Sequence, residues 1–535
     1  MVDKYDDDEQ LIDVQVPVVS GSFVADKTTA TYFNKVDAPL TATNFKVLLE
    51  LTGSEAGIER PGVDIVVVLD VSGSMKGKKL EHMKIATKFL VKKLSPIDRL
   101  SVIKYSTNAK RLCPLRQMNR DAQTEIEGMI HELKHGGLTN TTEGLEEAVR
   151  VLRERRLTNG REVAIMLMSD GEPNPLDADG SQVPVHDVPV YTFGLGQNYD
   201  PKVLVNIAKR SKKGTFSTAD VENTEASNLS IAFSQCLAGV LSVVVQDLTL
   251  TITKVQSKIE KVSAGDYFQS RDESEGSVTI SFGNLYSHEL RSILVDIVLD
   301  SVTESQGIDV LEFTYSYKDP IDLQVYDANP VLVTVSRTAN PTTQERQEVL
   351  IEEARQNTAA KIREAREMAD AKRYDDARST IEDAKINLSR NGLDTSHPTV
   401  KALTSELDQF LKLLETPTIY EKLGRAFALA TELAHALQRF AAKGNVDELR
   451  MFATKNMDQL LAQVKNYEND STAPVSTAAQ DAIQTTEATA NANVAPPVNN
   501  PTVAMAEALT THLGQAIQSL RDMQELINSI ASGSI

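Results

Sequence analysis

Asp64-Ile-Val-Val-Val-Leu69 runs straight into Asp70-Val-Ser72-Gly-Ser74. The apolar run shows no alternation, so it reads as a strand buried on both faces. The polar stretch after it has the form D-x-S-x-S and falls at the strand's carboxyl end. Gly136-Gly-Leu-Thr139-Asn-Thr141 follows downstream, and then a second apolar strand, Val163-Ala-Ile-Met-Leu-Met168, which ends in Ser169-Asp170-Gly171. Asp70, Ser72, Ser74, Thr139 and Asp170 thus supply two carboxylates and three hydroxyls on loops at one edge of a parallel sheet. That is ligand chemistry for a hard cation. An ordinary Rossmann-like domain with polar loops does not account for all three pieces.

The surrounding chain supports a parallel sheet. Strands are expected at 63–69, 99–105, 162–169 and 189–195, and helices at 78–94, 120–134, 143–156, 201–211 and 227–238. Strands that alternate with helices make βαβ units. In such sheets ligands bind beyond the carboxyl ends of the strands, where Asp70 and Asp170 fall.

The pattern resembles the metal-ion-dependent adhesion site of the von Willebrand factor type A domain, over residues of about 62–240. The resemblance implies one Mg²⁺ or Mn²⁺. Ser72 and Ser74 are then direct ligands, Thr139 is direct or acts through water, and Asp70 and Asp170 anchor the ion directly or through water. A partner's Asp or Glu completes the shell. An ion that merely ties three loops together is the alternative.

Beyond the domain the resemblance extends to inter-alpha-trypsin inhibitor heavy chains. It is nearer to a plant intracellular family that includes RING-type ubiquitin ligases, through Phe233-Ser-Gln-Cys236-Leu-Ala-Gly-Val-Leu-Ser-Val-Val-Val-Gln246-Asp-Leu and the helical region that follows. Ligase members carry a Cys/His-rich RING ahead of the type A domain, and no such cluster precedes residue 62 here. The expectation is a non-enzymatic interaction module or scaffold, with an accessory subunit of an enzyme assembly as the alternative.

At 535 residues the chain is long enough for three or four domains. Its net charge of −19 argues against nucleic-acid or anionic-membrane partners. The two cysteines, Cys113 and Cys236, form no C-x-x-C pair, which suits a reducing compartment and a cytoplasmic location. The acidic N-terminus, Met1 to Glu9, has no apolar core and does not read as a signal peptide. No apolar stretch approaches the roughly 20 residues of a membrane span.

The expected fold is α/β: a doubly wound, mainly parallel sheet at 62–240, inserted in an antiparallel β-sandwich made of 12–58 and 241–336, followed by a helical domain at 341–468. Within the sandwich, strands are read at 243–253, 276–282, 291–299, 309–317 and 330–335. The N-terminal strands are too few to stand alone as a sheet. Thr343 is the expected cap of the first C-terminal helix, with Arg346 in its first turn. Residues 1–11 are an expected disordered head. An Ala/Thr/Asn/Pro-rich linker is expected at 470–502, and an amphipathic helix at 503–531 that offers a face for self-association.

One competing motif is present. His131-Glu132-Leu-Lys-His135 matches H-E-x-x-H, and on a helix both histidines would share a face. The positions where a third ligand would extend the motif hold Leu138 and Thr141, so the match is read as coincidence.

Overall fold

The computed structural model describes residues 27–56, 60–171, 182–186, 188–211, 214–219, 228–390, 392–444 and 448–481. The expected strand positions at 12–26, the acidic head, most of the linker and the 503–531 helix lie outside them.

Two antiparallel sheets face each other. The first has the order β1 (Thr28–Asn34), β3 (Thr43–Gly53), β14 (Leu290–Leu299), β11 (Lys258–Ser263). The second runs β12 (Phe268–Asp272), β13 (Ser277–Tyr286), β10 (Val243–Lys254), β15 (Gln306–Lys318), β17 (Val331–Thr338), β2 (Asp37–Pro39), with β16 (Val325–Asp327) beside β15. Strands β11, β12 and β16 were not read from the sequence. β12 and β16 are short and mostly exposed, so they lack the apolar alternation that marks a strand.

The N-terminal strands divide between the two sheets. β3 is central in the first and pairs with β14 from Thr43↔Leu299 to Thr52↔Leu290. β2 joins the second, parallel to β17. The sandwich therefore closes only after the chain returns from the inserted domain. Both crossings meet at one turn: Gly53 bonds with the backbone of His288 and Glu289, and Ser287 N donates to Ser242 O at 2.7 Å. A Cβ on Gly53 would lie 2.3 Å from Tyr286 O, so the close approach requires glycine.

The inserted domain is a six-stranded sheet of order β6 (Ala109–Gln117), β5 (Arg99–Tyr105), β4 (Gly62–Asp70), β7 (Arg161–Ser169), β8 (Val190–Leu195), β9 (Phe216–Ala219). All neighbours are parallel except β5 and β6. β6 was also not read from the sequence. It is an edge strand whose Lys110, Arg111 and Arg116 dilute the apolar signal, and its Pro114 suits an edge. Helices α1 (Lys78–Lys93), α2 (Arg120–His131) and α5 (Asn228–Val240) share a core with Val63, Ile65, Val67 and Leu69 of β4. The opposite core holds Val66 and Val68 with α3 (Thr141–Glu154) and α4 (Pro201–Arg210). Alternate residues of one strand thus fill two cores.

The C-terminal region begins with the hairpin α6 (Gln347–Asp370) and α7 (Tyr374–Arg390), followed by α8 (Pro398–Leu413). α9 (Pro417–Ile419) continues through a π-helical segment, Tyr420–Gly424, into α10 (Arg425–Leu437), and α11 (Lys455–Asn469) ends the series. The first helix starts later than expected. Arg346, not Thr343, is its cap, and Gln347 its first residue. Asp37 accepts from Thr342 N and Oγ1, and Arg346 Nε reaches Asn34 O, so the segment is held to the sandwich before it can coil. α10 is buried all round: Leu429 and Leu433 join the core that holds α4 of the inserted domain, Phe427 and Ala428 the helical core. α11 places Met457, Leu460, Val464 and Tyr467 in the core of the inserted domain.

Residues 470–481, placed in the linker by composition, close over the end of α1. Lys93, whose side chain is fully buried, donates to Gln463 Oε1 at 2.6 Å and Ser476 O at 2.8 Å, and pairs with Asp481. A buried ammonium needs such acceptors, and composition does not reveal them.

Without β1, β2 and β3, strand β14 loses one of its two partners, β3, along ten residues and keeps only β11. A chain truncated to begin at residue 60 should be cut by protease within 243–338 under conditions where the full chain resists. Equal resistance of the two chains would show that the returning strands fold on their own.

Candidate metal centre

Asp70 ends β4 with no exposed surface. Its Oδ1 accepts from Ser72 N at 2.8 Å, which turns the chain sharply after the strand. Ser72 Oγ then lies 2.9 Å from Ser74 Oγ. A 3₁₀ turn, Gly73–Met75, drops Met75 into the core and leads to α1. The second loop is stitched to the first by Gly136 N on Val71 O at 2.7 Å and Gly73 N on Gly137 O at 3.0 Å. Gly137 has φ +85°, a conformation that favours glycine.

β7 delivers Asp170, also fully buried, and its Oδ1 accepts from Ser74 Oγ at 2.7 Å. Thr139 is 9% exposed. A Cβ placed on Gly171 would sit 3.3 Å from Thr139 Oγ1 and 3.5 Å from Ser74 Oγ, so both hydroxyls border one point. The structure therefore brings all five residues to one place at the sheet's edge.

Three further residues belong to it that sequence reading did not single out. Lys79 Nζ lies 2.7 Å from Asp170 Oδ2. Tyr105 OH and Ser169 Oγ approach Asp70 Oδ2 at 3.4 and 3.3 Å. Lys79 sits in the run Lys76-Gly-Lys-Lys79, which reads as solvated charge, and nothing in the sequence marked it as buried.

Two buried carboxylates so close repel each other. Burial first, and the charge of Asp170 second, push Asp70 up to about 6, against bonds from Ser72 that pull it down. A cation placed between them removes that repulsion. Among the described residues no three His, Cys, Asp or Glu converge, so donors beyond two carboxylates are hydroxyls or water. This all-oxygen set is hard-donor chemistry and does not suit a soft metal. The 2.7 and 2.9 Å oxygen separations are hydrogen-bond lengths.

The H-E-x-x-H match does not form a zinc site. α2 ends at His131, three residues short of the expected end, and Glu132 caps it. His135 lies past the helix, so the two histidines share no helical face, and both are exposed.

Comparison with known proteins agrees with this fold. Residues 64–230 match the von Willebrand factor type A domain, and residues 397–466 a model described as VWA / Hh protein intein-like. The chain is 31% identical over 282 residues to the E3 ubiquitin-protein ligase WAV3 of Arabidopsis thaliana, covering 50% of this chain and 35% of that one. It is 26% identical over 373 residues to the Arabidopsis E3 ubiquitin-protein ligase WAVH1, covering 65% and 48%. Inter-alpha-trypsin inhibitor heavy chain H1 of Mesocricetus auratus is 24% identical over 251 residues, covering 44% and 26%. This chain thus spans half or less of these relatives.

Among solved structures, a von Willebrand factor type A protein from Catenulispora acidiphila shares the fold over 76% of this chain and 96% of its own, with TM-score 0.56 at 17% identity. The ArnB paralog VWA2 from Sulfolobus acidocaldarius covers 77% and 98%, with TM-score 0.50 at 16% identity. The class is therefore plain: a type A domain set in an antiparallel sandwich with a helical C-terminal region. Within it, residues 64–230 are a von Willebrand factor type A domain, and the relatives of the chain include the WAV3-type ligases and the inhibitor heavy chains.

In metal-free protein, Asp70 at about 6 against an ordinary 3.8 takes up a proton on folding between those values. Its contribution to stability is present below about pH 4 and lost as pH rises through 6, by about 3 kcal/mol. With EDTA, the melting temperature of the wild type should fall relative to that of Asp70→Asn between pH 4 and 7. Saturating Mg²⁺ should restore it. Parallel melting curves for the two proteins would contradict the assignment.

Proposed function

We propose that this protein is a metal-dependent protein-interaction module or scaffold. Mg²⁺ or Mn²⁺ binds Ser72, Ser74 and Thr139, with Asp70 and Asp170 anchoring it, and a partner's Asp or Glu takes the remaining position. The observation that carries this reading is the convergence of these five oxygen-bearing residues at the carboxyl edge of the sheet. With two carboxylates and neutral hydroxyls, a divalent ion has no surplus of negative ligands around it, so an anionic ligand is favoured. No chemical step is needed. The cytoplasm is the proposed location, on the reading of two isolated cysteines in the sequence. Among the described residues no helix is long and apolar enough to cross a membrane.

A second reading is a non-catalytic accessory subunit of an enzyme assembly such as a ubiquitin ligase. It is favoured by the ligase names of the Arabidopsis relatives and by the helical region that matches alongside the type A domain. Partner capture that persists in EDTA would select it over the first.

Calorimetry should find one Mg²⁺ per chain. Loss of a second-sphere group already costs 10–100-fold in metal affinity, so Asp70→Ala should weaken binding by at least about a hundredfold while circular dichroism stays native. Partner capture should fall with it. Unchanged Mg²⁺ affinity in the variant would sink the site, and metal loss without loss of capture would leave the ion a tie between loops.

A further inference from the structure

The metal centre holds a cation of its own. Lys79 is the second residue of α1, its side chain is 10% exposed, and its ammonium lies 2.7 Å from Oδ2 of Asp170, a proposed ligand. Helical side chains lean toward the N-terminus, so this one reaches back over the Gly73–Met75 turn that carries Ser74. Two physical costs oppose its position. A positive charge in the first turn of a helix is set against the helix dipole. Burial of an ammonium costs several kcal/mol of hydration. The ion pair with Asp170 offsets both, and that same pairing engages a carboxylate the metal needs.

We propose that Lys79 is the charge-setting residue of the metal centre, holding divalent affinity down and making the loaded site select an anionic ligand. The inference rests on the metal-binding reading above. The ammonium of Lys79 makes the ion-loaded site one unit more positive than the same site without it. A more positive loaded site in a buried setting draws a carboxylate from the partner more strongly than water or a neutral amide. Removing the ammonium should tighten the hold on the metal and weaken the preference for the anion.

The full chain is titrated with Mg²⁺ alone by calorimetry, as wild type, Lys79→Met, Lys79→Gln and Lys79→Arg. The two neutral variants should bind Mg²⁺ about tenfold more tightly, and Lys79→Arg within about twofold of wild type. Lys79→Gln serves if Lys79→Met fails to fold. The titrations are repeated with acetate replacing perchlorate at constant ionic strength. Acetate should tighten Mg²⁺ binding to the wild type severalfold and do less in the neutral variants.

Equal or weaker metal affinity in the neutral variants would overturn the proposal and leave Lys79 a structural partner of Asp170. An absent acetate effect in the wild type would overturn the anion selection. A wild type that binds no divalent ion would instead overturn the reading beneath it.

Discussion

The inserted domain is arranged around one strand buried on both sides. β4 puts Val63, Ile65, Val67 and Leu69 into one core and Val66 and Val68 into another, and all are fully buried. Such a strand cannot slip by one residue, because its two faces pack against different helices. That constraint also fixes where its last residue falls. Asp70 is carried to the sheet's edge with no freedom to retreat into solvent. Its carboxylate must be satisfied there by Ser72, Ser169 and Tyr105 or by a cation.

The site is a charge problem set by that placement. β7 lies beside β4 in parallel register and brings Asp170 to the same edge. Burial first, and the charge of the neighbouring acid second, raise Asp70 there. Lys79 supplies part of that compensation from α1, while Ser72, Ser74 and Thr139 supply dipoles that can turn either way. Geometry and electrostatics together leave two buried carboxylates, one ammonium and three hydroxyls at one edge of the sheet.

The rest of the chain holds the domain from behind. The sandwich closes only when strands before and after the insertion meet, so the two crossings are pinned side by side at Gly53 and Ser242. α10 then lies between α4 and β9 of the inserted domain and α6 of the helical region. α11 packs against α5 of the inserted domain, with Gln235 Nε2 on Met457 O at 2.8 Å. A polar network fills the helical core: burial pushes Glu406 up, but Lys443 and the His435 ring outweigh it and hold the carboxyl at about 2. The type A domain is thus built into a larger frame through both ends and through its helices.

The sequence by itself determined the type A domain, because its signals are local. An unbroken apolar run means burial on both faces, and D-x-S-x-S and Asp170 each sit directly beside such a signal. The sheet-within-sandwich plan was also legible, since two groups of alternating strands flank the βαβ region and the first group is too small to stand alone. What only the tertiary structure decided depends on partners far apart in sequence. The edge strand β6 hides its pattern under basic residues. Asp37 and Asn34 delay the first C-terminal helix from across the sandwich, and Lys93 draws residues 470–481 out of an apparent linker. Lys79 is the sharpest case. In a lysine-rich run it is indistinguishable from its solvated neighbours, and only the folding of β7 beside β4 places a buried carboxylate 2.7 Å from its ammonium. Charge type is written in the chain, but burial, which gives a charge its energetic weight, is a property of the assembled fold.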